Sequence, residues 1–180
     1  MTADRERIRP VGAFDVALLA ELYAAIFTAP WDRAWSAESL AQILAMPGAH
    51  GWLLESGELP VGFVLASFTL DEGEILLTGI LPAAREQGHG ARMMRAVIAT
   101  AREAGIAKLF LEHAELNITA ARLYQRLGFV QIGRRLQYYS SHRPASGHHD
   151  GGKYDAVTRM LDLSVAEPVP TARVDTAGSK

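Results

Sequence analysis

Cysteine is absent from this 180-residue chain. Disulfides, thiolate nucleophiles and cysteine-based zinc sites are therefore excluded. Long hydrophobic runs are absent too, every apolar stretch falling far short of the roughly 20 residues that a membrane-spanning helix needs. Behind the charged start Met1-Thr-Ala-Asp-Arg-Glu-Arg-Ile-Arg9 no apolar segment of the secretory kind follows. There is no excess of one charge either. A formal net charge of −2 provides no general basic field for coating nucleic acid. These absences point to a cytoplasmic protein that engages neither membrane nor nucleic acid directly. What is present is an ordinary globular composition, 49% hydrophobic and 21% charged. The length suits a single domain with a substantial core, expected over residues 1–163.

Hydrophobic periodicity and turn residues divide that domain into alternating elements. Arg5 to Val11 reads as a first strand, and Asp15 as the cap of a helix carrying Leu18, Leu22 and Ile26. Ala29-Pro30-Trp31 breaks that helix, and Ser36 opens a second one that ends before Met46-Pro47-Gly48. His50 to Glu55 and Val61 to Leu70 form a hairpin around Ser56-Gly57, and Glu74 to Leu81 follows as a strand. A helix runs from Ala91 to Ala104, with Gly105 as its C′ residue. Next come strand Lys108 to Glu112, a helix from Asn117 to Leu127, and strands Phe129 to Tyr139 and Tyr154 to Leu163. A polar stretch, Ser140 to Lys153, joins the last two strands. From Ser164 on, the Pro-, Ala- and Thr-rich tail is expected to be disordered. The order β-α-α-β-β-β-α-β-α-β-β predicts an α/β fold with a mixed, mostly antiparallel sheet flanked by helices.

The most informative stretch is Arg85-Glu-Gln-Gly-His-Gly-Ala91, set between a strand and a helix. A helix start preceded by a glycine turn presents unpaired N–H groups and the positive end of the helix dipole, which together bind phosphate oxygens. Gly88 and Gly90 let backbone approach such a ligand closely. A P-loop requires Gly-Lys-Ser/Thr where this chain has Gly90-Ala91-Arg92. A dinucleotide fingerprint requires a small residue where Met93 stands, although Glu112 lies near the position of a ribose-binding acid. An ordinary surface turn shaped by glycine is the remaining alternative.

The spacing Arg-x-x-Gly-x-Gly resembles the pyrophosphate loop of GCN5-related N-acetyltransferases. A second set of residues narrows the resemblance. Leu111-Glu112, Asn117, Leu123-Tyr124, Leu127-Gly128-Phe129, Arg134-Arg-Leu-Gln-Tyr-Tyr139 and Asp155-Ala156 occur in this order. They resemble the RimI-type ribosomal-protein alanine N-acetyltransferases, with their Leu-Glu-Val-Arg-x-x-Asn, Leu-Tyr, Gly-Phe, Arg-x-x-Tyr-Tyr and Asp-Ala. The likeness runs from about Pro30-Trp31 to Met160. It departs at His113-Ala114, where the family has Val-Arg, in the added residues Asp32 to Trp35, and in the long loop from Ser140 to Lys153.

The resemblance implies the family's splayed sheet, with acetyl-CoA as cosubstrate. Its pyrophosphate would lie on the amides of Glu86, Gln87, Gly88, His89, Gly90 and Ala91, with Arg85 adding charge. Its thioester arm would lie against Thr78, Gly79 and Ile80 in the gap between two parallel strands, with Asn117 touching the arm. Gly79 and Pro82 are compatible with such a broken pairing. Glu112 would be the general base and Tyr124 the acid that protonates the departing sulfur. Trp31, Tyr138 and Tyr139 would flank the acceptor, the N-terminal alanine of a protein such as the eighteenth protein of the small ribosomal subunit. Without cysteine to carry an acetyl group, attack would be direct. An α-amine, with a pKa near ~7.7–8.0 against ~10.4 for lysine, asks least of a single carboxylate base.

Other readings stay open for the same residues. Acetylation of a small amine or antibiotic fits this scaffold, as does a non-catalytic acetyl-CoA sensor. Ala120, Leu123, Tyr124 and Leu127 have the spacing of a buried helix face, so Tyr124 also reads as core. Glu112 reads equally as a solvated acid paired with Lys108 or Arg134, Asn117 as a helix cap, and Arg85 as a surface arginine. Tyr138 and Tyr139 also read as ordinary strand aromatics, one on each face. His148-His149-Asp150 lacks a spaced partner and reads as a polar loop, so no metal is expected.

Overall fold

The computed structural model of the chain describes residues 6–32, 35–140 and 153–164. Expectations for the tail after Ser164, for most of the Ser140–Lys153 loop with its histidines, and for part of the Asp32–Trp35 addition lie outside these residues. The strands are β1 (Arg7–Pro10), β2 (Ala49–Ser56), β3 (Leu59–Thr69), β4 (Glu72–Ile80), β5 (Lys108–Ala114), β6 (Val130–Ser140) and β7 (Lys153–Asp162). The helices are α1 (Val16–Ile26), α2 (Ala37–Leu44), α3 (His89–Glu103) and α4 (Ile118–Arg126). One seven-stranded sheet runs in the order β1-β2-β3-β4-β5-β7-β6. Only β4 and β5 pair in parallel; the other pairs are antiparallel.

Both faces of the sheet are covered, which is why its inner strands read as continuous apolar runs. In β2 and β3, Trp52, Leu54, Val64 and Ala66 pack on one side with Met93, Met94 and Val97 of α3. The alternate residues Leu53, Phe63 and Leu65 pack on the other with Leu19, Leu22 and Ile26 of α1 and Leu40 of α2. Each such side chain contributes about 1.5–3 kcal/mol on full burial. Two helix layers thus grip the sheet and hold its central strands in place.

Several details differ from the expectations. Asp15 does not cap α1; its carboxylate accepts from the Gly12 amide at 2.6 Å and pairs with Arg9 at 2.8 Å. It therefore ties the helix entry to β1. Ser36 does cap α2, accepting from the Ser39 amide at 3.2 Å. The phosphate-turn helix starts two residues early, at His89, because Gly88 already stands in the left-handed region at φ +86° and turns the chain into it.

Candidate active site

The site begins where the parallel pair fails. β4 and β5 are in register from Glu72↔Lys108 to Ile75↔Leu111 and no further. Beyond that point β4 stays on β3, through Thr78↔Val64 and Ile80↔Gly62. β5 stays on β7, through Glu112↔Thr158 and Ala114↔Ala156. Between them a wedge opens, lined on one side by the unpaired edge of Thr78, Gly79 and Ile80. Its cause lies upstream of Gly79 and Pro82. Leu65 pairs with Leu77 and Ala66 with Ile75, so Leu76 is an extra residue that bends β4 away as the pairing ends. Gly79 has a different role: a Cβ there would stand 2.3 Å from Ile26 of α1. Pro82 opens a short 3-10 turn, Pro82–Ala84.

At the end of β4 the chain makes the glycine turn. Glu86 takes a left-handed φ of +63°, Gly88 one of +86°. The first helical bond runs from the Arg92 amide to the Gly88 carbonyl at 3.0 Å, so His89, Gly90 and Ala91 keep amides with no helical acceptor. Arg85 braces this turn, donating to the Ile80 carbonyl at 3.1 Å and the Ile26 carbonyl at 3.3 Å. Gln87 likewise donates to the Ala83 carbonyl at 3.2 Å. The imidazole of His89 is buried, with Nδ1 2.9 Å from a Glu6 carboxylate oxygen, so only its backbone amide can serve a ligand. A Cβ on Gly88 would meet no atom within 4 Å, so the backbone twist alone demands glycine. Gly88→Val is therefore expected to keep the fold and weaken CoA binding at least several-fold in calorimetry. Unchanged affinity would remove the turn from the site.

The wedge has a different acid–base group on each face. On the α3/α4 face, Tyr124 is only 6% exposed, packed with Leu109 and Leu111 of β5. Its ring meets His113 at 5.7 Å and Phe129 at 5.9 Å. Desolvation pushes its pKa up to about 12, so the phenol stays protonated. No hydrogen bond to its hydroxyl is found among the described residues. Asn117 caps α4, its Oδ1 accepting from the Ala120 amide at 3.1 Å.

His113, which in sequence marks only a departure from the family pattern, is a buried strut behind Tyr124. Nδ1 lies 2.8 Å from the Ala114 carbonyl and Nε2 accepts from Arg159 Nε at 3.0 Å, which assigns a neutral ring with its proton on Nδ1. Burial, then Arg159, holds its pKa below the ordinary 6.5. The unfolded chain thus takes up this proton first. The stability that His113 contributes is complete above pH 6.5 and lost as pH falls through its lower folded value. Thermal melts between pH 7 and pH 5 are expected to drop less for His113→Phe than for the parent, and equal drops would contradict this assignment.

On the opposite face stands Glu112, since strand alternation turns it away from Leu111 and His113. Its Oε2 accepts from Arg135 at 3.1 Å and from the Thr158 hydroxyl at 3.3 Å. The partner is Arg135 rather than Lys108 or Arg134; Arg134 pairs with Glu115 and Asp155 instead. Glu74 lies close enough to feel the charge of Glu112, and its pKa is raised by desolvation and then by Glu112. Trp31 meets Tyr154 edge-on at 5.5 Å. Tyr139 pairs with Tyr154 across the strands, and burial, then Glu112, pushes its hydroxyl pKa up. Tyr138 is 47% exposed, its ring 5.0 Å from Tyr139 and under the Arg135 guanidinium at 3.7 Å. The tyrosines are therefore not split one to each face. β6 is distorted between Arg135 and Tyr139, so both meet the same Arg135–Glu112 pair.

Trp31, Glu112, Tyr138 and Tyr139 thus gather on one face; Tyr124 and Asn117 lie on the other, and the glycine turn lies at the end of β4. Arg135, Tyr154, His113 and Asp155 join the site without a sequence signal of their own strength; only the Arg-x-x-Tyr-Tyr and Asp-Ala spacings hint at two of them. Among the described residues no group of acids and histidines is placed to hold a metal. No described helix is long and apolar enough to cross a membrane.

A parallel pair that splays apart, with a glycine turn and a helix start beyond the end of β4, is the arrangement of an acyl-CoA-type transferase fold. The chain belongs to the acetyltransferase (GNAT) family, whose model matches residues 16–129. It is 33% identical over 149 residues to the N-alpha-acetyltransferase RimI of Mycobacterium tuberculosis, spanning 77% of this chain and 89% of that protein. It is 31% identical over 103 residues to a ribosomal protein bS18-alanine N-acetyltransferase of Haemophilus ducreyi. That second match covers 57% of this chain and 66% of the relative, just under two thirds of its length. In fold it resembles the crystal structure of the ribosomal-protein-S18-alanine N-acetyltransferase from Escherichia coli, with a TM-score of 0.78 and 23% identity. The superposition covers 91% of this chain and 97% of that one.

Proposed function

We propose that this chain transfers the acetyl group of acetyl-CoA to the α-amine of a protein beginning with alanine, the eighteenth protein of the small ribosomal subunit. The reading rests on Glu112 and Tyr124 lying on opposite faces of the sheet, beside Leu111, where the pairing of β4 and β5 ends. The cofactor fits the free amides of the glycine turn and the unpaired edge of Thr78 to Ile80. When bound there, acetyl-CoA supplies an activated thioester.

Glu112 takes one proton from the entering ammonium, directly or through water, and the second leaves to solvent as the amide forms. The nitrogen bonds to the acetyl carbon as the carbon–sulfur bond breaks. Tyr124 gives its hydroxyl proton to the departing sulfur from the far face and regains one from solvent. Glu74 beside Glu112, and Asp32 with Glu112 beside Tyr139, add negative charge to the acceptor face, which favours a cationic amine over an acid. A protonated Tyr124 hydroxyl without a described hydrogen-bond partner supports catalysis over a passive sensor. The names of the relatives support the choice of acceptor. Incubation with unacetylated ribosomal protein and labelled acetyl-CoA is expected to place one acetyl on its N-terminal alanine. Label on internal lysines alone would overturn the proposal.

A further inference from the structure

The distortion of β6 lies opposite Asp155 of β7. Arg135 pairs with Ala156 and Tyr139 with Tyr154, so Leu136, Gln137 and Tyr138 stand opposite Asp155 alone. Two extra residues are folded into that short span. Gln137 takes a left-handed φ of +53°, a strained conformation for a non-glycine residue, while Leu136 is thrown out to solvent at 74% exposure. A strand broken in this way leaves amides without ladder partners, and each buried orphan costs free energy.

Asp155 answers this with both ends of the residue. Oδ1 accepts from the Gln137 amide at 2.7 Å, and Oδ2 accepts from Arg134 Nε at 2.8 Å. Its backbone carbonyl accepts from the Glu115 amide at 2.9 Å, tying the bulge to the connection between β5 and α4. The backbone amide of Gln137, and then the Arg134 side chain, also hold its pKa below the ordinary carboxylate range. The arms differ in worth. Arg134 is nearly half exposed, and an ion pair with an exposed partner contributes little. The charge-assisted bond to the strained amide is the stronger one.

We infer that Asp155 is a positioning residue for the acceptor, holding the β6 bulge so that Arg135 stands against Glu112 with the Tyr138 ring under its guanidinium. Among the described residues its carboxylate bonds Gln137 and Arg134 and neither Tyr124 nor the glycine turn, so the side chain acts on the acceptor face. The inference rests on the proposed acetyl transfer but not on the identity of the acceptor. It is tested with whichever amine the parent enzyme acetylates best, so a failed ribosomal assignment leaves the test intact.

In steady-state kinetics Asp155→Ala is expected to raise the acceptor KM about tenfold, the effect of losing ~1.4 kcal/mol of binding. The Kd of acetyl-CoA by calorimetry should stay within about twofold, a few tenths of a kcal/mol. Asp155→Asn keeps an oxygen for the Gln137 amide and should recover most of the acceptor KM. Arg134→Met, which removes only the weaker arm, should shift it less than Asp155→Ala and serves if that variant folds poorly. An unchanged acceptor KM in Asp155→Ala would overturn the inference. So would parallel loss of acceptor and acetyl-CoA binding with a lowered Tm, and so would Asp155→Asn behaving no better than Asp155→Ala.

Discussion

Tyr124→Phe is expected to slow acetyl transfer by roughly 10²–10⁴, the range for removing a positioned acid or base. The change deletes one oxygen. The ring keeps its packing against His113 and Phe129, and because no described residue bonds to the hydroxyl, no partner is orphaned. Stability should therefore hold, and acetyl-CoA binding should be unchanged in calorimetry. A pKa near 12 argues against tyrosinate acting as a base, leaving proton donation as the role on offer. Full turnover in the variant would show that Tyr124 is only a core aromatic, and so would a collapsed melting temperature.

Glu112→Gln should produce a loss of similar size at pH 7, roughly 10²–10⁴. The amide preserves shape and can still accept from Thr158, but it cannot take a proton and no longer neutralises Arg135. A pH profile separates this role from simple mispositioning. An α-amine with a pKa near ~7.7–8.0 loses its own proton as pH rises, so the deficit should shrink above about pH 8. A deficit equally large at every pH would make Glu112 a positioning group instead. Retention of the parental rate at pH 7 would leave the proposed base without support.

The element order and the glycine turn are legible in the sequence because periodicity, caps and glycine are local signals. Ser36, Asn117 and Gly88 act where sequence places them. Asp15 shows the limit of such signals: a cap residue beside an arginine from another strand bonds the arginine instead. The wedge is anticipated by resemblance, yet its cause, an extra residue at Leu76, depends on register between strands that no local pattern reveals. The same holds for Tyr138 and Tyr139. Alternation assigns neighbours to opposite faces, and only pairing with β7 exposes the two inserted residues that bring them together. Arg135 and Arg134 are adjacent and chemically identical, so only the sheet decides which one meets Glu112. His113 reads as a missing family residue because its partner, Arg159, lies 46 positions away.

Two acid–base groups across the wedge, serving a protein α-amine, are the centre of this account. The most direct measurement is a competition for labelled acetyl-CoA among three acceptors. These are a peptide beginning Ala-Arg with a free N-terminus, the same peptide N-terminally blocked but carrying lysine, and a set of small amines and aminoglycosides. The expected result is label on the free α-amine and little elsewhere, because one carboxylate neutralises an α-amine far more readily than a lysine whose pKa lies about two to three units higher. Preferential labelling of a small amine or of the lysine would contradict it.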